Sequence, residues 1–324
     1  MFRLFDEAQY DVLKRRRFAF AVAATFAIPG LLLLGIRGLN QSIEFTGGTL
    51  IQVRALDPNI RTAEIRTALA DAGITGAEIQ TVGGSEEFQI RARLDPRAEV
   101  SEESTQQTAA AVGEALRTAF GEDAYEIRSR DTVGPKVGGE LRNRASMALM
   151  LAFGAIFAVL WFRYEWRFGM AAVAATVHDV ITTVAFISFL NLEVSLVVVA
   201  ALLTIIGYSL NDTIVTFDRV RENLRKYKRQ DIYHILNRSI NETLPRTVLT
   251  SGTTVGATLA LVILGGSIIR PFALVMTFGV ITGTFSSIFI ASPLLLKIEQ
   301  RWPGEDVRGA RSIGAKAKVA SATT

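Results

Sequence analysis

Six stretches of this sequence are apolar and about as long as the ~20 residues that a helix needs to cross the hydrocarbon core of a bilayer. Residues 18–36, 145–162, 247–269 and 271–296 contain no Asp, Glu, Lys or Arg, and the other two runs carry few ionisable residues. The sequence therefore predicts an α-helical membrane protein with six transmembrane helices. Their predicted bounds are residues 18–36, 143–162, 168–190, 194–217, 246–267 and 271–296.

The distribution of positive charge predicts one orientation for all six helices. Lys and Arg are concentrated before the first run, after the second, after the fourth and after the sixth, whereas the link 190–194 has none. Because short cytoplasmic loops accumulate these residues, both termini are expected in the cytoplasm of a cell whose inner membrane the chain spans. Residues 1–17 are then a cytoplasmic segment, 218–245 a cytoplasmic amphipathic linker and 297–324 a basic cytoplasmic tail. A membrane surface explains the net charge of +4 without nucleic acid.

Residues 37–142 form a polar insert between the first two runs, and we expect them in the periplasm. Alternation of apolar residues predicts strands in 43–56, 77–82, 87–94 and 124–133, and a 3.6-residue period predicts helices in 59–74 and 101–121. The order β-α-β-β-α-β is that of a ferredoxin-like α+β domain. A hairpin is predicted at Gly83-Gly84, and "FTGG", Phe45-Thr46-Gly47-Gly48, predicts a bend or close backbone approach inside the first strand.

Several ionisable or strongly polar residues interrupt the third and fourth runs. His178 and Asp179 lie in the third, and Asn211 and Asp212 lie in the fourth. Such residues are rare in transmembrane helices because each charge costs about 2.5–3.5 kcal/mol at the centre. Asp218 and Arg219 sit at the membrane boundary, where water or pairing can satisfy them.

Helical spacing predicts a polar face on three of the helices. Thr204, Tyr208 and Thr216 lie eight and four residues before and four after Asp212. The third run has Thr176, Asp179 and Thr182, and the fifth run has Thr250 and Thr254. Arg246 stands at the cytoplasmic entrance of that run, after a bend expected at Pro245. We predict that Arg246 lies beside Asp212 and that moving the arginine would shift the protonation of the acid, as a proton relay requires.

Simpler explanations of the same residues stay open. The threonines could serve only in helix packing, His178 could be a satisfied core histidine, and Asp179 could be a static hydrogen-bond donor. Asp212 and Arg246 could form a structural ion pair, although buried pairs stabilise a fold poorly.

Other classes of chemistry find little support. The sequence has no cysteine, and its two histidines form no metal-ligand spacing. A nucleophile–base pair and a phosphate-binding loop are also missing from the sequence. We therefore expect a protein that is not an enzyme and has no cofactor, with protons as the coupling ion.

Four motifs, "IEFTGGT", "VHDV", "IGYSLNDTIVTFDRVREN" and "NRSINETLPRTVLTSGTT", occur in an order that resembles the SecF family. The resemblance runs from about residue 10 to about residue 300. It implies half of a transporter of the resistance-nodulation-division superfamily, completed by a SecD partner. It also implies use of the proton-motive force to promote late export of unfolded preproteins through SecYEG, with YajC and YidC as further partners. Asp212 and Arg246 match the family's functional residues, and Asp179 matches a His-Asp pair of less clear role.

Two other functions compete with this one. A proton-driven small-molecule exporter would use the same membrane chemistry, but the single small insert offers little room for a substrate pocket. A non-energised scaffold subunit of a translocon would tolerate exchange of Asp212 and Arg246 for an apolar pair.

Overall fold

The structure is a computed structural model that describes residues 9–74, 77–82, 86–92 and 102–304 of the 324-residue chain. Residues 1–8 of the predicted N-terminal segment, the predicted Gly83-Gly84 hairpin and residues 305–324 of the predicted tail lie outside the described residues.

Six helical stretches of the described chain are long and apolar enough to cross a membrane, so the predicted fold class is confirmed. The first two long helices flank the soluble insert and the other four follow it. They are α1 (Arg16–Arg37), α5 (Pro135–Arg163), α6 (Trp166–Phe189), α7 (Leu196–Lys226), α8 (Ile232–Leu264) and a last stretch of three parts. Those parts are α9 (Gly266–Ser286), a π-helical segment (Ser287–Ala291) and α10 (Ser292–Arg301).

The insert folds as a four-stranded antiparallel sheet with two helices. In chain order its elements are a helical turn α2 (Ile43–Thr46), β1 (Gly48–Ala55), α3 (Thr62–Asp71), β2 (Glu78–Thr81), β3 (Glu87–Ala92), α4 (Glu102–Phe120) and β4 (Tyr125–Val133). The strand order is β2-β3-β1-β4. The core includes Ile51 and Ile90 of the sheet and Leu69 and Leu116 of the helices. These elements confirm the predicted ferredoxin-like arrangement.

The first strand begins later than the sequence suggests. Residues 43–46 form α2 rather than extended chain, and β1 starts only at Gly48. The backbone requires glycine here, because φ is +75° at Gly47 and +129° at Gly48. Phe45 is buried against α6, α7 and α9 rather than in the sheet. The motif is therefore an anchor that turns the chain from the membrane helices into the sheet.

Most of the segment predicted as the linker 218–245 belongs to two long helices. Helix α7 continues to Lys226, and α8 starts at Ile232 and runs through Pro245 without interruption. With 31 and 33 residues, the helices are about 46 and 50 Å long. Both therefore extend well beyond a hydrocarbon core of about 30 Å. Burial of Ile232, Ile235 and Leu236 against the helical core stabilises this extension, which the polar pattern of the segment concealed.

Glycines allow the closest helix contacts. A Cβ built on Gly279 would lie 2.2 Å from Cδ1 of Ile205, and one built on Gly283 would lie 2.9 Å from Cβ of Ser209. Helices α7 and α9 therefore pack at a distance that only small side chains permit. This contact brings polar residues of the two helices into reach of α6.

The two ends of the helical bundle carry different parts of the chain. At one end the N-terminal residues bind the start of α8, since the amide of Leu13 donates to Asn237 and that of Tyr10 donates to Asn241. At the other end the sheet domain contacts the link between α6 and α7, where Ser42 N donates to Val194 O at 2.9 Å.

Candidate functional site

Asp212 of α7 lies in the interior of the helical bundle. Its residue is 5% exposed. The hydroxyl of Thr247 on α8 donates to Oδ1 at a long 3.4 Å, and Oδ2 has no hydrogen-bond partner within the described part of the chain. A buried carboxyl oxygen without a partner is costly, so such a position needs a functional explanation.

Arg246 is next to Thr247 in the chain but is not the residue that bonds to Asp212. It precedes Thr247 in α8 and is exposed on the surface of the chain. Among ion pairs of the described residues none joins it to Asp212, although the two are close enough for a Coulombic interaction. The residue of α8 that contacts Asp212 is thus Thr247 and not the predicted Arg246.

Asp179 of α6, unlike Asp212, has partners for both of its carboxyl oxygens. It is fully buried. Its Oδ2 accepts hydrogen bonds from the hydroxyls of Ser209 on α7 and Ser286 on α9, the latter at 2.6 Å. Its Oδ1 lies 3.0 Å from Nδ1 of His178. One carboxyl group therefore joins three helices.

His178 contacts Asp179 through one ring nitrogen only. Its Nε2 is buried and has no partner among the described residues. The neighbouring hydroxyls bond to the backbone of their own helix instead, Thr182 to His178 O and Thr183 to Asp179 O. One ring nitrogen is therefore left without a hydrogen bond in the described part of the chain.

The predicted polar faces come together only in part. Tyr208 of α7 donates to the hydroxyl of Thr254 on α8 at 3.2 Å, and Thr254 in turn donates to the carbonyl of Thr250. Thr216 is buried. By contrast, Thr204 and Asn211 are exposed on the chain's surface, so one polar strip of α7 is left uncovered.

The charged residues beyond Asp212 form a separate network at the end of α7. Asp218 is about half exposed and lies 3.9 Å from Arg221. Arg219 pairs with Glu242 of α8 at 2.7 Å and with Glu222 at 2.6 Å. These contacts connect the helical extensions of α7 and α8 and do not reach Asp212.

Sequence reasoning missed the serines that bind Asp179 and the acid Glu299 of α10. Glu299 is buried and accepts hydrogen bonds from Arg167 Nε and from the backbone of Gly304, each at 2.8 Å. A signal existed for Ser209, which precedes Asp212 by three residues and so shares its side of α7. Nothing in the sequence pattern indicated Ser286 or Glu299.

Two family models match the sequence. Residues 111–301 match the C-terminal domain of protein export membrane proteins SecD/SecF, and residues 32–55 match the SecD/SecF GG motif. The second match contains Gly47 and Gly48, whose positive φ angles make the anchor described above.

Curated relatives match over nearly the whole chain. Protein translocase subunit SecF of Gemmatimonas aurantiaca is 48% identical over 97% of this chain and 95% of its own length. The SecF subunit of Desulfurispirillum indicum is 43% identical over 90% and 92%, respectively. That of Rickettsia akari is 38% identical over 91% of this chain and 94% of its own.

Solved structures give the same result for the fold. The crystal structure of SecDF, a translocon-associated membrane protein from Thermus thermophilus, superposes with a TM-score of 0.79 at 36% identity. SecDF in a super-membrane-facing form superposes with a TM-score of 0.66 at the same identity. Each match covers 93% of this chain and 40% of the SecDF chain. The chain therefore belongs to the SecF family of protein translocase subunits, within the SecD/SecF family of protein export membrane proteins.

Proposed function

We propose that this chain is the SecF half of a SecDF-type accessory translocase and that protonation of Asp212 couples the proton-motive force to late steps of preprotein export. A proton crossing the membrane releases about 2.3 kcal/mol per 100 mV. Capturing this free energy requires a titratable group that is shielded from bulk water and that changes its surroundings during the cycle.

The observation that carries the proposal is the state of Asp212. The carboxyl group is buried, holds one long hydrogen bond and leaves Oδ2 without a partner among the described residues. A static structural acid would be expected to have both oxygens satisfied, as Asp179 has. An unsatisfied acid is instead suited to take up and release a proton.

Arg246 supplies the group that would change the protonation of Asp212. It is the residue before Thr247, and successive residues of a helix are rotated by about 100°. Turning α8 by this amount would exchange the threonine for the guanidinium at Asp212. A guanidinium beside the carboxylate favours its ionised form, so helix rotation and proton release would occur together.

The exposed polar residues of this chain support the presence of a partner subunit that forms the second half of the transporter. Thr204, Asn211 and Arg246 lie on the surface of this chain, although a polar surface in contact with lipid is unfavourable. The chain also spans only 40% of the SecDF chains that it resembles. A SecD partner would cover this strip and complete a crevice around Asp212. SecYEG, YajC and YidC are proposed as further partners from the family resemblance alone.

The predicted orientation is part of the proposal. The N-terminal residues and the α7–α8 connection lie at one end of the bundle and the sheet domain at the other. With Lys and Arg concentrated at the first end, that end faces the cytoplasm of a bacterial inner membrane. The sheet domain then meets the preprotein on the outer side.

Export assayed with Asp212→Asn tests the proposal, with Asp218→Asn as the matched control. Both variants remove one acid from α7, but only Asp212 is buried. We expect the first to abolish the part of export that depends on the proton-motive force and the second to leave it unchanged. Wild-type export with Asp212→Asn would refute the proton role.

The alternatives make different predictions. A scaffold subunit would keep its activity when Asp212 and Arg246 are both replaced by leucine. A small-molecule exporter would show Asp212-dependent efflux of a solute from vesicles that contain no preprotein. We propose, further, that the chain catalyses no covalent reaction.

A further inference from the structure

The sheet domain is joined to the membrane helices at a third place besides α1 and α5. Residues 40–44 run beside the link between α6 and α7. Val194 N donates to Asn40 O at 2.7 Å, and Leu196 N donates to the carboxylate of Glu44 at 2.5 Å. Sequence alone suggested only the two covalent connections.

Arg91 of β3 is the charged centre of this contact. It is 3% exposed, although β3 belongs to the soluble domain. Its Nη2 lies 2.5 Å from Oε1 of Glu193, which belongs to the α6–α7 link. Its Nη1 donates to Glu78 at 3.2 Å and to the side chain of Asn40 at 3.1 Å. A single guanidinium therefore connects the sheet, the segment after α1 and the link between two membrane helices.

Glu193 lies where movement of the membrane helices can reach the sheet domain. The link in which it lies joins the helix that carries Asp179 to the helix that carries Asp212. Movement of either acid-bearing helix must displace the link, and the link is held by the sheet domain. No other ion pair among the described residues connects the sheet to the helices that follow α5.

The Arg91–Glu193 pair can open during a working cycle. A buried ion pair pays for its attraction with lost hydration, so its net contribution to stability is small. Burial raises the pKa of Glu193 even though Arg91 opposes the shift, which indicates that the loss of hydration is not fully offset. Glu44 and Gln89 also face Glu193.

We propose that Arg91 and Glu193 form a releasable joint that transmits movement of the α6–α7 helix pair to the sheet domain. Arg91 is a positioning residue: it acts on the acids only through the link. The inference rests on the proposed function for what the movement achieves, but the docking of the domain can be measured separately.

Docking can be measured as a distance, because the chain has no cysteine that would compete for spin labels. Labels at Asp123→Cys in the sheet domain and Phe189→Cys at the end of α6, both exposed, report their separation in the full chain in nanodiscs. Glu193→Lys places a second cation beside Arg91, and we expect it to broaden the distance distribution. Combining it with Arg91→Glu restores opposite charges and should restore the narrow distribution.

The matched control is Arg54→Glu, which reverses an exposed arginine of β1 paired with Glu86 at 3.8 Å. It should leave the distribution unchanged. Because Glu193 lies outside the sheet domain, its replacement spares the core around Ile51 and Ile90. An unchanged distance distribution in Glu193→Lys would refute the proposal that Arg91 and Glu193 hold the domain. A double variant, Glu193→Lys with Arg91→Glu, that stays broad would refute it as well.

Coupling is then tested in vesicles that contain the chain with its SecD partner. We expect Glu193→Lys to lose export while proton uptake continues, whereas Asp212→Asn loses both. If Glu193→Lys broadens the distance distribution but exports normally, the contact does not transmit movement to the sheet domain. Normal proton uptake in Asp212→Asn would refute the proposed function while leaving the distance measurement to decide on the joint.

Discussion

Replacement of Gly283 by alanine tests whether the contact between α7 and α9 holds the Asp179 cluster together. The added Cβ would lie 2.9 Å from Cβ of Ser209 and 3.3 Å from its Oγ. Non-bonded carbon atoms are most stable about 3.5–4.0 Å apart, so the helices must separate by roughly 0.5–1 Å. Ser209 of α7 and Ser286 of α9 donate to the same oxygen of Asp179, so separating these two helices weakens the shared contact.

The expected cost follows from three contributions. Overpacking a well-packed interior costs about 1–3 kcal/mol. Weakening the hydrogen bond from Ser209 adds up to about 1 kcal/mol. Replacing glycine by alanine within a helix returns about 0.5–1 kcal/mol. The free energy of unfolding should therefore fall by about 1–3 kcal/mol.

The measurement is reversible unfolding of the purified chain in mixed micelles by titration with a denaturing detergent. Gly207→Ala is the matched control, because a Cβ at position 207 of α7 meets no atom within 4 Å. Its free energy of unfolding should stay unchanged or rise by up to about 1 kcal/mol. Adding Ser209→Gly to Gly283→Ala removes the Cβ that causes the clash, so the two changes together should cost less than the sum of each alone.

Two results would contradict this account of the helix contact. Equal stabilities of Gly283→Ala and Gly207→Ala would show that α9 can move away from α7 without cost. Additive effects of Gly283→Ala and Ser209→Gly would show that the two positions do not meet.

Two further predictions concern buried carboxyl groups. Glu299→Ala removes one of the two carboxylates paired with Arg167, which is only 13% exposed and keeps Glu165, and should lower the free energy of unfolding by about 1–3 kcal/mol because buried donors lose their acceptor. Glu140→Ala, which breaks an exposed pair with Arg144, should lower it by at most about 1 kcal/mol, and equal losses would contradict the role given to burial. Burial raises the pKa of Glu193 above its ordinary 4.5 although Arg91 opposes the shift, so the ionised pair with Arg91 holds the domain less firmly than the protonated acid does. The contribution of Glu193 to docking is therefore complete below pH 4.5 and is lost as the pH rises through the raised value. The docked fraction in the spin-label measurement should increase on acidification toward pH 4.5, and Glu193→Gln should remove this dependence; a docked fraction that falls on acidification would show the opposite sign.

The architecture was predictable because its signals are local. Charge-free runs of bilayer length and the alternation in segments such as 87–94 depend only on neighbouring residues. The helical extensions of α7 and α8 were missed because their polar residues satisfy each other across the pair. Asn223, for example, donates to both Ser239 and Glu242.

The site was predictable only where one helix contained the information. Spacing along α7 placed Tyr208 and Thr216 with Asp212, but it could not choose which residue of α8 faces them. In the structure Thr247, and not its neighbour Arg246, contacts Asp212. These two residues differ by a single position along α8.

Arg91 shows the same limit in the sheet. Alternation in β3 places it on the face opposite Phe88 and Ile90, which a sequence assigns to solvent. The link between α6 and α7 covers that face in the structure. Its partner Glu193 is the only charged residue of the link.

The unequal satisfaction of the two buried acids assigns them different roles. Asp179 is held by Ser209, Ser286 and His178 from three helices, so changing its charge would disturb contacts that fix α6, α7 and α9. Asp212 has one long contact and an oxygen without a partner in the described chain, so its charge can change at little structural cost. We infer that Asp179 positions the helices and that Asp212 carries the proton. A group that must change state repeatedly cannot also be the group that holds its surroundings in place.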